Sequence, residues 1–483
     1  MKYVICSSIF IFITAGLAHA TDRVLGETIT FQSYNGVPEA CVRITPIPGG
    51  RYDEEDLEDE VALCSLDLYS ESIALCPKIW STSPAVVLYD IGEGKFKGDR
   101  AGFQSKICAG GKVAKHVSEG QISRIKFTMN QESTSATFST SPILYYHLSR
   151  YFNFQTKVPV SVWRSMDKSV LLNEVAIGGR ILTEGMPHLS MIHAAWKALV
   201  DTIETPESYA KPTAYGTSED ILTSDGTNAY GVMYDGGGTQ YGPEINGIPV
   251  DDTAEARYAA FMQTPTTIAL ATEGPLKVAI ETGLRLGGAT FTPEGREEQA
   301  ISAAQMVFWM RETSEVLLID YILAQQDRPG NIDYQEYYYW IKDGDAKKMR
   351  VRNQRPGEGE IPLEAIMIQR SRINDNDAGA RIEYDNHFMA LEVLDKLRHF
   401  APEQFNQLRL LNADFESKGP KYEWLRDSLG LDISQVEMIR KNTRRANEVL
   451  EKNCQLGLIR FDLDAKEFFL KGDVQGTQPP CVN

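Results

Sequence analysis

Apolar positions recur along this chain in two rhythms, and each change of rhythm marks a part. A basic Lys2 precedes an apolar run from Tyr3 to Leu17 that closes on Ala18-His19-Ala20. Its shortness and its small-residue end predict a cleavable secretory signal over residues 1–20, not a membrane span. From Thr21 to about Pro84, β-branched residues and turn signals (ETITFQSYNGVPEACVRITPIPGG) are followed by an acidic run, Asp53 to Glu60. That pattern predicts a small β module. Between Ala85 and Met129, the segments AVVLYDI, GFQSKICAGG and ISRIKFTM read as strands. In the last of them, alternation puts Ile125 and Phe127 on one face and Lys126 on the other. Pro142 to Tyr151 is predicted as a helix, capped by Thr140-Ser141 with Pro in its first turn. Val158 to Asp167 follows as the strand that leads out of this half.

The second half changes to helical spacing. One amphipathic piece, HLSMIHAAWKALVDTI, precedes a region rich in Gly, Asp and Tyr. Gly236-Gly237-Gly238 lacks the Lys-Ser/Thr and the following helix of a phosphate loop, so it reads as a surface loop. Residues 185–295 then form an insertion, placed to shape a groove or lid. Residues 297–324 read as one long helix, with Val316, Leu317, Ile319, Ile322 and Leu323 as its apolar run. It stops at a polar loop holding Asp327, Arg328, Asn331 and Asp333, where Pro329-Gly330 turns the chain into an aromatic strand. A further strand begins at Ile366 and ends in Asn374-Asp375-Asn376-Asp377-Ala378-Gly379. Beyond it, apolar residues at three- and four-residue spacing predict a helical C-terminal region, with Arg440 to Arg445 as a solvated face.

Composition narrows the function classes. The 483 residues are 42% hydrophobic and 24% charged, ordinary for a globular protein of two or three domains. A formal charge of −17 argues against nucleic acid and against anionic membrane surfaces, since both need a basic footprint. A cationic or neutral partner fits that charge better, and no stretch after the signal is long and apolar enough to insert stably in a bilayer. Six cysteines follow the signal: Cys41, Cys64, Cys76, Cys108, Cys454 and Cys481. In an oxidising compartment, secreted or periplasmic, an even set predicts disulfides. Local pairing joins Cys454 to Cys481 and leaves the first four to pair among themselves. Nothing in the sequence sets the oligomeric state.

Two polar turns carry the candidate chemistry. An Asp and an Asn four residues apart, delivered by a helix onto one turn, supply a base for a hydroxyl proton and an amide oxygen for a magnesium ion. Two carboxylates and two amides released by a Gly at a strand end make a hard-oxygen ligand set, suited to Mg²⁺ or Mn²⁺ and not to zinc. The plainer reading of the first turn is a helix cap. For Lys126 it is an exposed lysine on an edge strand.

In Gln325-Gln326-Asp327-Arg328 with Asn331, and in Ile373-Asn374-Asp375, the sequence resembles a group of atypical kinases. These are the phosphatidylinositol 3-/4-kinase-like, persistence-toxin, Golgi casein and spore-coat kinases. The resemblance implies an α+β, two-lobed protein-kinase-like fold with a small N-terminal disulfide-braced β module. It divides the chain into the signal (1–20), the β module (21–84), an N-lobe (85–165) and a mostly helical C-lobe (166–483). It implies Asp327 and Arg328 as catalytic residues. Lys126 would hold the nucleotide phosphates with Glu132 or Glu174 as its acidic partner, and Asn331, Asp375, Asp377 and Asp333 would serve as metal ligands. The family's gap from Asp to Asn is five residues and here it is four, so either Asn331 sits differently or Asp333 shares its role. ATP and Mg²⁺ or Mn²⁺ are the implied cofactors, and a hydroxyl on a protein or small molecule is the acceptor. The alternatives are a pseudokinase, an AMP or glutamyl transferase on the same fold, or a non-catalytic secreted protein with 374–379 as a calcium loop.

Overall fold

The computed structural model describes residues 24–109, 121–127, 138–209, 221–290, 301–351, 354–476 and 479–481, and of residues 121–127, 208–209 and 288–290 it describes the backbone alone. The expected signal, Gly110-Gly111 at the end of the second strand expected between Ala85 and Met129, and Glu132 lie outside the described residues.

Seven strands form the first sheet: β1 (Gly26–Gln32), β2 (Pro38–Ile44), β3 (Ile73–Pro77), β4 (Ala85–Asp90), β5 (Gln121–Phe127), β6 (Ser161–Asp167) and β7 (Asn228–Tyr234). Their order is β1-β2-β6-β7-β5-β4-β3, with every neighbour antiparallel. The strands before Pro84 are thus built into the larger sheet and supply both of its edges. The chain leaves this sheet at Tyr234 and not after Asp167. β6 is followed by helices, and β7 then returns to lie between β6 and β5.

Two local readings change for physical reasons. The acidic run folds as the helix Glu54–Cys64, because Asp53 and Asp56 form a reciprocal capping box. Its acids lie at the positive end of the helix dipole. The expected strand at 102–111 is instead the helix Arg100–Lys106, started by the Asp99 side chain, which accepts from the Gly102 amide at 2.9 Å. This helix lays Phe103 against Tyr89 and Phe96, with ring centroids 5.4 and 5.2 Å away, and so covers the outer face of β3 and β4. The disulfides fasten these parts. Cys41–Cys64 ties β2 to the first helix, Cys76–Cys108 lies in the small outer core, and Cys454–Cys481 staples the tail, so the first four cysteines pair among themselves as expected.

The second half is mostly helical around the long helix Ala303–Leu323, which is buried along nearly its whole length. Ser302 caps its start, and Ala324, in the left-handed region, ends it. A smaller sheet packs beside it: β8 (Thr239–Gln240), β9 (Asp333–Lys342), β10 (Asp345–Arg350) and β11 (Ile366–Arg372). β9 is central in this sheet and β8 pairs with its first residues. One hydrophobic core runs through both halves, from Val42 and Tyr230 to Leu317 and Phe405. The architecture is α+β, as expected. Among the described residues, no helix is long and apolar enough to cross a membrane.

Candidate functional site

The helix Ala303–Leu323 carries three buried acids, and each one fastens a different segment. Glu312 pairs with Arg370 on β11 and accepts from the Ser371 amide at 2.8 Å. Glu315 accepts from the amides of Gln155 and Thr156 and pairs with Arg311 at 2.7 Å. Asp320 accepts from Tyr145 Oη at 2.6 Å and receives both Nε and Nη2 of Arg328, at 2.7 and 3.0 Å. Buried charges persist where partners and hydrogen bonds satisfy them, and this helix is pinned at three levels, by Arg370, by the amides of Gln155 and Thr156, and by Arg328.

Arg328 has no exposed side-chain surface, and its fork reaches past Asp320 to the second polar turn. Nη2 donates to Asn376 Oδ1 at 2.7 Å and Nη1 to the Asp375 carbonyl at 3.4 Å. The Gln326 amide also donates to the Ala378 carbonyl at 3.0 Å. The two turns, nearly fifty residues apart in the chain, are therefore one piece of structure. Asp327 feels the result: burial pushes its carboxyl up to about 6, and the carboxylates of Asp375 and Asp377 add to that rise. Arg257 works against it, donating Nη1 to Asp327 Oδ1 at 2.6 Å.

The other expected residues divide. Asn331 closes the turn, donating Nδ2 to the Asp327 carbonyl at 2.7 Å and its amide to the Arg328 carbonyl at 2.9 Å. Asp375 is half-buried, whereas Asp377 is 5% exposed and its main-chain carbonyl accepts from the Phe138 amide. Asp333 opens β9 and accepts from Asn374 Nδ2 at 2.6 Å. Gly238 lies tightly over that pair: a Cβ there would sit 2.8 Å from Asp333 Oδ2, at a φ of +155°. The glycine run at 236–238 is thus a close crossing from β7 into β8, with Asn374 Nδ2 also donating to the Gly237 carbonyl.

Lys126 occupies the register position between Ala85 on β4 and Val232 on β7, well inside the sheet. This excludes the edge-strand reading. Glu174 lies on the π-helical turn Leu171–Ala176 and pairs with Arg100 at 2.8 Å and with Tyr34 Oη at 2.9 Å. Burial, followed by that bond, raises the Tyr34 phenol to about 12.

Two contributors escaped the sequence reading. The helix Ala254–Phe261 supplies Arg257, and beside it Tyr258 donates Oη to the Gln325 carbonyl at 2.7 Å. Asn246 Oδ1 accepts from the Gly330 and Ile332 amides at 3.1 and 3.4 Å, holding the far side of the same turn. A signal for Arg257 existed: it is the one basic residue in an acid-containing stretch from Tyr241 to Pro265. Nothing local marked Asp327, seventy residues on, as its partner.

No group of three or more His, Cys, Asp or Glu side chains converges to hold a metal among the described residues. Magnesium does not need such a cage, since it is commonly held by one or two carboxylates with phosphates and water. The donor set here fits it: Asn331 and Asp375 offer hard oxygens at half-buried positions near Asp327, whose carboxyl is raised first by burial and then by its acidic neighbours.

Among solved structures, the chain is similar to one described as the crystal structure of the Golgi casein kinase with Mn/ADP bound. The identity is 10% and the TM-score 0.40, over 89% of this chain and 82% of that one. No family model and no curated protein matches the sequence. The functional reading rests on this chain's own geometry.

Proposed function

We propose that the protein is a secreted, kinase-like phosphotransferase that moves the γ-phosphoryl group of ATP to a hydroxyl on a protein or small molecule. The observation that carries this reading is the joining of the two polar turns through buried Arg328, which holds the turn of Asp327 against the turn of Asp375 and Asp377.

Asp327 is the base. A carboxyl near 6 is ionised at neutral pH yet basic enough to accept the acceptor's hydroxyl proton as its oxygen bonds to phosphorus, while the bond to the β-phosphate oxygen breaks and ADP leaves. Arg257 fixes the orientation of that carboxylate. Of the four candidate ligands, Asn331 and Asp375 suit Mg²⁺ or Mn²⁺ best. Asp333 is tied to Asn374 under Gly238 and Asp377 is nearly buried. Such an ion supplies charge neutralisation at the β- and γ-phosphates. Lys126, on a central strand, is assigned to the remaining phosphate charge, and Arg328 positions the turns without touching substrate. Secretion is supported by the signal-like first twenty residues and by three disulfides.

The test is transfer from γ-labelled ATP by purified protein. Asp327→Asn and Asp375→Asn should each lower the rate about 10²- to 10⁴-fold while the melting temperature stays near that of the parent. Equal activity in both variants would sink the assignment. Mass spectrometry of the product separates phosphoryl from adenylyl or glutamyl transfer.

A further inference from the structure

The loop between Gly247 and Asp252 holds two apolar side chains out in solvent, Ile248 at 64% and Val250 at 93% exposed. Isolated exposed apolar residues are common and call for no explanation. These two share one short loop, and both ends of that loop are fastened to the candidate catalytic turn. Before it, Asn246 accepts from the amides of Gly330 and Ile332. After it, Arg257 pairs with Asp327.

The loop itself is held in shape. Gly247 has a φ of +78°, and a Cβ there would lie 2.6 Å from the Ala260 carbonyl carbon, so the chain presses directly on the following helix. Pro249 restricts the middle. At its end, Asp251 Oδ1 accepts from the Thr253 amide at 2.9 Å, and Thr253 Oγ1 accepts from the Ala256 amide at 3.2 Å to start that helix. A loop fastened at both ends that keeps Val250 in water gains no packing from it. The arrangement suits a surface prepared in advance for a ligand.

Charge narrows the ligand. From Tyr241 to Pro265 the chain has four acids, Glu244, Asp251, Asp252 and Glu255, and its one base, Arg257, is committed to Asp327. Asp251, Asp252 and Glu255 are exposed around the apolar pair.

We propose that the Gly247–Asp252 loop is the docking lip for the acceptor, which is a polypeptide segment with its hydroxyl residue flanked by apolar and basic side chains. This rests on the phosphotransferase reading for the identity of the reaction, though not for the binding itself. Ile248 and Val250 cover the apolar neighbour, and Asp252 with Glu255 receives the Lys or Arg.

Two fluorescent peptides test it, one with Ser between Leu and Lys residues and one with Glu in place of Lys. Anisotropy is measured on the full chain with Mg²⁺ and a non-hydrolysable ATP analogue. The Leu/Lys peptide should bind more tightly than the Glu peptide. Ile248→Ser with Val250→Ser should weaken it about tenfold or more, and Asp252→Lys should weaken it as well. These substitutions are exposed, so melting temperatures should not move. Unchanged binding in the apolar double variant, or equal binding of the two peptides, overturns the inference. If the Leu/Lys peptide binds through the loop and no phosphoryl group reaches it, the docking surface stands and the phosphotransferase reading fails.

Discussion

Arg328 shows how much one side chain holds at this site. It has no solvent contact, and its fork joins Asp320 on the long helix to Asn376 and the Asp375 carbonyl on the second turn. Removing the guanidinium would leave Asp320 buried with Tyr145 as its remaining described donor. Breaking a buried pair in this way costs about 3–5 kcal/mol, so Arg328→Met should lower the urea midpoint by that equivalent. Arg328→Lys should rescue little, because an ammonium cannot span both turns as a planar fork does. A midpoint unchanged in Arg328→Met would show that the bridge does not hold the turns. His147 gives a second residue-level expectation. It is fully buried, and burial, with Arg150 second, lowers its imidazole to about 3. An unfolded histidine titrates near 6.5. Between those values the unfolded chain takes up a proton that the native one refuses, so stability falls as pH drops from about 6.5 toward 3, by about 1.4 kcal/mol per unit, and is unaffected above 7. His147→Gln should flatten that part of the curve. Urea midpoints of parent and variant at several pH values between 7 and 4.5 check this: parallel curves would rule out the histidine as the source.

At the scale of elements, legibility followed the source of each feature. The helix Ala303–Leu323, the aromatic β9 and the strand β11 were visible because an apolar run, a Pro-Gly turn and β-branched residues are all local. The Cys454–Cys481 staple was visible for the same reason, spanning 27 residues, and so was the grouping of the first four cysteines, though not which of them pair. The helix Glu54–Cys64 was hidden, although its cap is also local. Acidic composition masked a capping box that needs Asp at both the first and fourth positions. The place of β7 between β5 and β6 was not legible at all, because strand order is set by packing among segments distant in the chain. Both polar turns were legible as candidates, but what joins them was not. Asp320 reads as one more residue of a buried helix, and its pairing with Arg328 appears only when that helix ends in a left-handed Ala324. Arg257 illustrates the limit further: its helix lies in what reads as an insertion, yet it reaches the candidate base.

For the whole molecule, the proposed nucleotide site carries a thermodynamic consequence. The seven-stranded sheet hands the chain over through Asp235–Gly238, where Arg372 of β11 holds Asp235 at 3.2 Å and Asn374 holds the Gly237 carbonyl at 3.1 Å. Under the proposed function, a nucleotide held by Lys126 of β5 and by Asp375 would draw on both the sheet and the helical half, and it would bind only the folded chain. At a hundred times its dissociation constant, such a ligand adds about 2.7 kcal/mol, enough to raise the melting temperature by several degrees. The carboxylates on their own repel the triphosphate, and a divalent ion on its own lacks the phosphate oxygens that complete its shell. The shift should therefore require ATP and Mg²⁺ together, and Asp375→Asn should abolish it. With a formal charge of −17, any divalent salt relieves some self-repulsion, so the comparison must be made at fixed ionic strength with Ca²⁺ alone as the reference. If Ca²⁺ without nucleotide produces the full shift, and Asp375→Asn removes that shift, then residues 374–379 form a structural calcium loop. The acidic spot beside Asp327 would in that case serve stability and not phosphoryl transfer.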